Sequence, residues 1–146
     1  MLKISQTVSN INFGAKLVEE YSGSEEARSP MLAIAVSKSD ELRLKGEKNA
    51  PELSQKYESF IKFLNGDVGK SMLETLPKDD ELVLEKTYSV SDSGEFKPVF
   101  EDVFISYNSG KVNDKLEYEI NTPGTFDRFW NKPGELLLYI KYLLKK

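Results

Sequence analysis

The sequence predicts an α+β fold, with a mostly antiparallel sheet and helices packed on one of its faces. Two regions, near the N-terminus and between residues 81 and 121, alternate apolar and polar residues as strands do. Between and after them, apolar residues recur with the period of an amphipathic helix. With 146 residues, 39% of them hydrophobic, the chain is long enough to form one packed core. We therefore expect a single globular domain, 1–146.

The first predicted strand spans residues 10–20. Its apolar side chains alternate with polar or small ones, as in a half-buried strand: Ile11, Phe13, Ala15 and Leu17. A polar break at residues 22–26 ends this strand. The N-terminal part of the sheet is therefore expected to contain one strand before the break.

Residues 31–46 contain two alternating apolar stretches, separated by the polar residues 37–40. This pattern predicts a β-hairpin. A helix that begins at Ser29 and Pro30 is the alternative. On a helical wheel, however, Ile34 and Leu44 would lie off the apolar face, which favours the hairpin.

Two helices are predicted next, at about residues 51–65 and 67–76. Pro51 stands where a helix tolerates the missing N–H group. The apolar residues after it follow the spacing of one helix face: Leu53, Tyr57, Phe60, Ile61 and Leu64. Gly66 ends the first helix and Asp67 can cap the second.

Residues 81–121 predict an antiparallel meander of three strands joined by short turns. Alternation is clear from Leu82 to Val90, and residues 96–107 are apolar on both faces near Phe104, as in a central strand. Leu116, Tyr118 and Ile120 predict the third strand. A final helix is expected at residues 134–145, after Pro133.

The chain contains no histidine and no cysteine. It therefore lacks a Ser-His-Asp triad, a thiol nucleophile, a disulfide and zinc-thiolate ligands. The formal net charge is −4, so the basic surface of a nucleic-acid-binding protein is not expected. We predict no metal, no cofactor and no nucleic-acid partner.

The first residues lack the apolar core of a secretion signal, and no run of about 18 apolar residues occurs in the chain. No transmembrane segment is therefore expected. We predict a cytoplasmic protein.

Three motifs have structural explanations that we prefer over chemical ones. The segment 66–71 resembles a phosphate-binding loop, but only two residues separate its glycines instead of four. Glu117 and Glu119 would lie roughly 6.5–7 Å apart on one strand face, a separation also found in inverting glycosidases. Residues 79–81 are three consecutive acids, without the spaced loop of a calcium site. We interpret these segments as a helix corner, a solvated strand face and a solvated turn.

The candidate binding residues lie in the segment 125–130, between two Pro-Gly pairs. They are of the types enriched at binding hot spots: Phe126, Arg128, Phe129 and Trp130. The alternative is a short helix capped by Thr125, whose aromatic side chains fill the core.

The final helix is nearly all apolar, and Leu138 lies close to its narrow polar side. Three interpretations remain open: a helix that covers the sheet, a helix whose extra apolar face binds a partner or a second copy, and a helix on a membrane surface. The region 125–145 is therefore the predicted surface for a protein partner or for self-association.

We conclude from the sequence that a non-catalytic binding or protein-interaction module is the leading hypothesis for the function. A small hydrolase that uses carboxylates is the alternative, and it requires acids that converge in a cleft. A carrier with a ligand pocket between the sheet and the helices is a further alternative.

Overall fold

The computed structural model describes residues 2–9, 14–23, 51–90, 98–110, 114–122 and 124–145. Strands and helices are both present, as the α+β prediction requires. The predicted hairpin at 31–46 lies outside the described residues. In chain order the elements are β1 (Leu2–Ser9), β2 (Lys16–Gly23), α1 (Pro51–Asn65), α2 (Asp67–Glu74), β3 (Glu81–Val90), β4 (Pro98–Asn108), α3 (Asp114–Ile120), α4 (Thr125–Phe129) and α5 (Pro133–Leu144).

The four described strands form one mixed sheet in the order β1-β2-β3-β4. The pairs β1–β2 and β3–β4 are antiparallel, whereas β2 and β3 are parallel. The prediction of a mostly antiparallel sheet is therefore correct for two pairs and wrong for the central one. Parallel neighbours need a long crossover connection, and α1 and α2 lie in the connection between Gly23 and Glu81.

The N-terminal part of the sheet differs from its prediction. Two strands are present among the described residues instead of one. Strand β2 covers Lys16–Gly23, and residues 10–13 of the predicted strand 10–20 lie outside the described part of the chain. The strand β1 is mostly polar and pairs only with β2 among the described strands. Leu2, Ile4 and Val8 alternate with polar residues and only Gln6 interrupts the pattern, so the sequence contained a strand signal that the prediction missed.

The three long helices are close to their predictions. The bounds of α1 match, and its buried residues Tyr57, Phe60 and Leu64 follow the predicted face. Helix α2 ends at Glu74, two residues early, and α5 spans 133–144 instead of 134–145. The helical spacing of the apolar residues therefore predicted the ends of these helices to within two residues.

The third strand of the predicted meander is wrong, because the segment forms helix α3. Leu116 and Ile120 are both buried, while Tyr118 between them is 76% exposed. A strand would have placed all three on one face. Leu116 and Ile120 are four residues apart, which is about one helical turn. The same spacing also places both on one face of a strand, so these two residues fit either structure.

The core lies between the sheet and the helices. Leu17, Leu84 and Ile105, from three neighbouring strands, are completely buried. They belong to one apolar cluster with residues from all five helices: Tyr57, Phe60, Leu64, Leu73, Leu116, Ile120, Phe126, Phe129, Leu136, Leu137, Ile140 and Leu143.

Within the described ranges, none of the helices could cross a bilayer. The most apolar, α5, has 12 residues, and a spanning helix needs about 20.

Candidate functional site

A groove of about 480 Å³ lies between helices α2 and α5. Its size falls within the range of ligand-binding clefts, roughly 300–1,000 Å³. Half of the lining residues are apolar and half are polar or charged. They are Asp67, Val68, Ser71, Met72, Thr75, Leu137, Leu138 and Lys141.

The α2 wall is held in place by close backbone packing at the corner between α1 and α2. A Cβ atom at Gly69 would overlap the carbonyl oxygen of Phe63 and lie 2.7 Å from the Cα atom of Leu64. Only glycine allows α2 to pack this closely against the end of α1. Val68, next to this contact in the first turn of α2, is 63% exposed.

The α5 wall contains both core and surface leucines. Leu137 is 2% exposed and belongs to the core cluster, whereas its neighbour Leu138 is 58% exposed. Tyr142, one helical turn after Leu138, is also exposed. Helix α5 therefore covers the core with Leu137 and still presents an exposed leucine, Leu138, at the groove.

Polar groups of the groove are few and lie on both walls. Asp67 and Ser71 belong to α2, Thr75 is the residue directly after it, and Lys141 belongs to α5. The acid and the base stand on opposite walls. Such a groove suits an apolar surface whose polar edges carry both charges.

None of the four predicted binding residues lines this groove. Phe126 and Phe129 are buried, and the ring of Phe126 lies 5.4 Å from that of Phe60. Arg128 is exposed, with its guanidinium 4.5 Å from the centre of the Phe129 ring. Trp130 is half-buried beside the Lys56 ammonium, at 4.9 Å. The two phenylalanines thus fill the core, while Arg128 and Trp130 reach the surface.

The acidic residues that sequence analysis considered do not form one site. Glu117 and Glu119 lie on helix α3, not on a strand. Asp79 is exposed and Glu81 half-buried. Asp80 is buried, and its carboxylate accepts a hydrogen bond of 2.7 Å from Tyr107. Among the residues that the structure describes, no group of three acids could hold a metal ion.

The glycine-rich segment 66–71 forms the α1–α2 corner and the first turns of α2. It follows a helix, whereas a phosphate-binding loop follows a strand. The helix-corner interpretation is therefore correct.

A buried polar cluster connects α1 to the sheet. The Glu19 carboxylate accepts hydrogen bonds from Tyr57 and, at 3.2 Å, from Tyr21. The Lys86 ammonium lies 4.1 Å from the centre of the Tyr57 ring and 5.2 Å from that of Phe100. Lys86 is 0% exposed, so the cluster is closed to ligands and its role is structural.

Both tyrosines that donate to buried carboxylates have perturbed acidity. Burial raises the pKa of Tyr57 well above its usual value, and the charge of Glu19 raises it further. Burial and the hydrogen bond to Asp80 likewise raise the pKa of Tyr107. Both hydroxyls therefore stay protonated in the folded protein and act as donors.

Sequence reasoning missed the cluster, although a signal was present. Glu19 stands between Leu17 and Tyr21, and Lys86 between Leu84 and Tyr88, on the alternating positions that face the core. A charge at such a position on each of two neighbouring strands indicates a buried polar cluster. The groove gave no comparable signal, because it depends on how α2 and α5 pack together.

Comparison of the chain with models of protein families, with curated proteins and with solved structures finds no match.

Proposed function

We propose that this chain is a non-catalytic protein-interaction module, and that the groove between α2 and α5 receives an apolar helical segment of a protein partner. The observation that carries the proposal is Leu138, a leucine that is 58% exposed at the edge of the groove. It belongs to the region 125–145, where the sequence predicts a partner surface.

The exposed apolar side chains of Leu138 and Val68 provide a driving force for association. Burial of a whole leucine side chain stabilises by about 1.5–3 kcal/mol. The exposed part of Leu138 therefore represents roughly 1–2 kcal/mol, and Val68 on the opposite wall adds a similar amount. A partner that covers both walls gains from both contributions.

The shape of the groove favours a protein segment over a small ligand. Val68 and Leu138 line opposite walls and are 63% and 58% exposed, so an occupant must extend over both walls to cover them. An amphipathic helix laid between two helices covers floor and edges together, with anchors spaced one turn apart. Ser71, Thr75 and the two charged residues then form the polar rim that protein interfaces have.

The two alternatives have less support. The hydrolase hypothesis requires at least two acids that converge in a cleft, and the groove contains one acid, Asp67. The carrier hypothesis required a pocket between sheet and helices, whereas the groove lies between two helices. Neither alternative gains an observation that would favour it.

The proposal can be tested by selecting binders from a displayed library of helical peptides. The protein is immobilised sparsely, so that its copies do not meet. Selected peptides are then measured against Leu138→Lys and Val68→Lys, which place a charge at each edge of the groove. Lysine is a good helix former, so neither change should weaken its helix. We expect both variants to bind at least about tenfold more weakly than wild type.

Tyr118→Lys is the matched control, since Tyr118 is an exposed aromatic residue on α3, outside the groove. It should leave peptide binding unchanged. Failure to select any binder, or equal binding by Leu138→Lys and wild type, would refute the proposal. Loss of binding only in Arg128→Ala and Trp130→Ala would instead assign the site to the segment 125–130.

A further inference from the structure

The ammonium group of Lys86 lies in a cage of three aromatic rings. Its nitrogen is 4.1 Å from the centre of the Tyr57 ring, 5.2 Å from that of Phe100 and 5.8 Å from that of Tyr21. A cation within about 6 Å of a ring centre is attracted by the negative face of the ring, and aromatic cages bind free ammonium ligands in this way. Lys86 and the three rings are at most 2% exposed, so water screens this attraction little.

A carboxylate lies at the hydroxyl ends of two of the cage rings. The hydroxyl groups of Tyr21 and Tyr57 both donate hydrogen bonds to Glu19. These bonds hold the two rings in their orientation and place a negative charge beside the cage. Aromatic faces and a carboxylate both favour a positively charged occupant.

The walls of the cage come from three separate elements. Tyr21 lies on β2, where it pairs with Lys86 across the parallel ladder. Phe100 lies on β4 and Tyr57 on α1. The ring of Tyr88 lies 6.2 Å from that of Tyr21 and 5.5 Å from that of Phe100, and it supports both walls. The cage is therefore built by strand pairing and ring packing that do not involve the Lys86 side chain.

We infer that this cage is a binding site for a primary alkylammonium ion, and that Lys86 occupies it as a ligand attached to strand β3. The side chain of Lys86 is itself an alkylammonium ion, and its complete burial keeps the site closed in the wild-type chain. A shorter side chain should open the cage to a free ligand of the same chemistry, because a core cavity accepts a ligand that matches its walls. None of the cage residues lines the groove between α2 and α5, so the inference is independent of the proposed function.

Lys86→Ala tests the inference, because the atoms that it removes have the composition of n-propylammonium. We expect about 100 mM n-propylammonium chloride to raise the folding equilibrium constant of this variant about tenfold, as a dissociation constant of about 10 mM implies. Urea titration measures that constant, with sodium chloride at the same concentration as the reference. If Lys86→Ala is unfolded without ligand, n-propylammonium should restore its helical circular dichroism. Wild type should not respond, since Lys86 fills its cage.

Two comparisons separate recognition of the charge from filling of a cavity. 1-Propanol has nearly the same size without a charge, and its effect on the folding constant of Lys86→Ala should be at least about fivefold smaller. Lys86→Met keeps the cage filled and should not respond to n-propylammonium.

A change of one wall tests whether the aromatic rings bind the cation. Phe100→Leu in the Lys86→Ala background removes one ring of the cage, and we expect n-propylammonium to bind about fivefold more weakly. Phe129→Leu in the same background is the matched control. Phe129 is also a buried phenylalanine, but it does not belong to the cage, so its replacement should leave the affinity unchanged.

The wild-type chain offers a second measurement that does not depend on how stable the variants are. The ring current of an aromatic side chain shifts protons above its face upfield. The ε-methylene protons of Lys86 should therefore resonate upfield of those of the other lysines in a carbon–proton correlation spectrum. Lys86→Met assigns the signal by its loss.

Several outcomes would overturn the inference. They are a Lys86→Ala variant that n-propylammonium neither stabilises nor folds, an equal effect on wild type, and a wild-type spectrum without an upfield-shifted lysine signal. Equal stabilisation by 1-propanol would show an apolar cavity instead of a cation site. Equal affinity of the Phe100→Leu and Phe129→Leu backgrounds would show that the rings do not bind the cation.

Discussion

Tyr57 on helix α1 donates a hydrogen bond to the carboxylate of Glu19 on strand β2, and both side chains are buried. Their bond joins the helical layer to the sheet through two polar groups inside an apolar core. A buried carboxylate is costly without such donors. The pair therefore helps to fix where α1 lies on the sheet.

Tyr57→Phe removes one donor to Glu19 and keeps the aromatic ring. We expect the free energy of unfolding to fall by about 1–3 kcal/mol, because a buried carboxylate loses a hydrogen bond. Urea titration measures the change. Tyr118→Phe is the control, since Tyr118 is 76% exposed, and it should cost nothing measurable. Equal stability of Tyr57→Phe and wild type would contradict a role for this bond.

Lys86→Met removes the buried ammonium beside the Tyr57 ring. We expect a loss of about 2 kcal/mol, because the change removes a desolvated cation–π contact with the Tyr57 ring. The double variant Glu19→Gln/Lys86→Met should lose less than the sum of the two single variants, by at least about 1 kcal/mol. Additive losses in the unfolding measurements would mean that Glu19 and Lys86 do not interact.

Stability should decrease at alkaline pH because of the two buried tyrosines. Their folded-state pKa values are raised, while tyrosine in the unfolded chain ionises near pH 10. Above about pH 10 the unfolded state releases protons that the folded state retains, so stability is lost as pH rises. The unfolding free energy of wild type should fall more between about pH 9 and about pH 11 than that of Tyr57→Phe/Tyr107→Phe. Parallel pH profiles would contradict the raised pKa values.

Gly69→Ala tests the α1–α2 corner. Alanine usually stabilises a helix relative to glycine by about 1 kcal/mol. At Gly69 the added Cβ would overlap the backbone of Phe63, so we expect a net loss of about 1–3 kcal/mol. Gly134→Ala in α5 is the control, because the nearest atom to its Cβ would lie 3.7 Å away. A stable Gly69→Ala would show that the corner is not tightly packed.

The two neighbouring leucines of α5 should differ sharply in their effect on stability. Leu137 is 2% exposed and Leu138 is 58% exposed. Leu137→Ala should therefore cost about 2–5 kcal/mol, as buried leucines do, and Leu138→Ala no more than about 0.5 kcal/mol. Unfolding is measured in dilute solution, so that association does not contribute. A large loss in Leu138→Ala would place Leu138 in the core and remove the basis of the groove proposal.

The sequence predicted an element best where the spacing of its apolar residues fits either a helix or a strand, but not both. The apolar residues of α1 fit a helix face and no strand face, and its bounds were predicted correctly. Leu116 and Ile120 fit both periods, and only the exposure of Tyr118 in the folded chain separates them. The parallel pairing of β2 with β3 depends on the direction of the crossover, which no local pattern contains.

The candidate site was predictable only in part. Leu138 lies near the polar side of α5 in the sequence pattern, and the structure exposes it at the groove. Val68 and Met72 are four residues apart, as core residues of a helix are, yet Val68 is 63% exposed. A contact that depends on the packing of two helices cannot be inferred from either helix alone.

The proposal that the groove between α2 and α5 binds protein is tested most directly by the affinity of Leu138→Lys for peptides selected on wild type. The measurement is paired with the unfolding free energy of the same variant. We predict at least about tenfold weaker binding with unchanged stability. Wild-type affinity in Leu138→Lys would contradict the proposal.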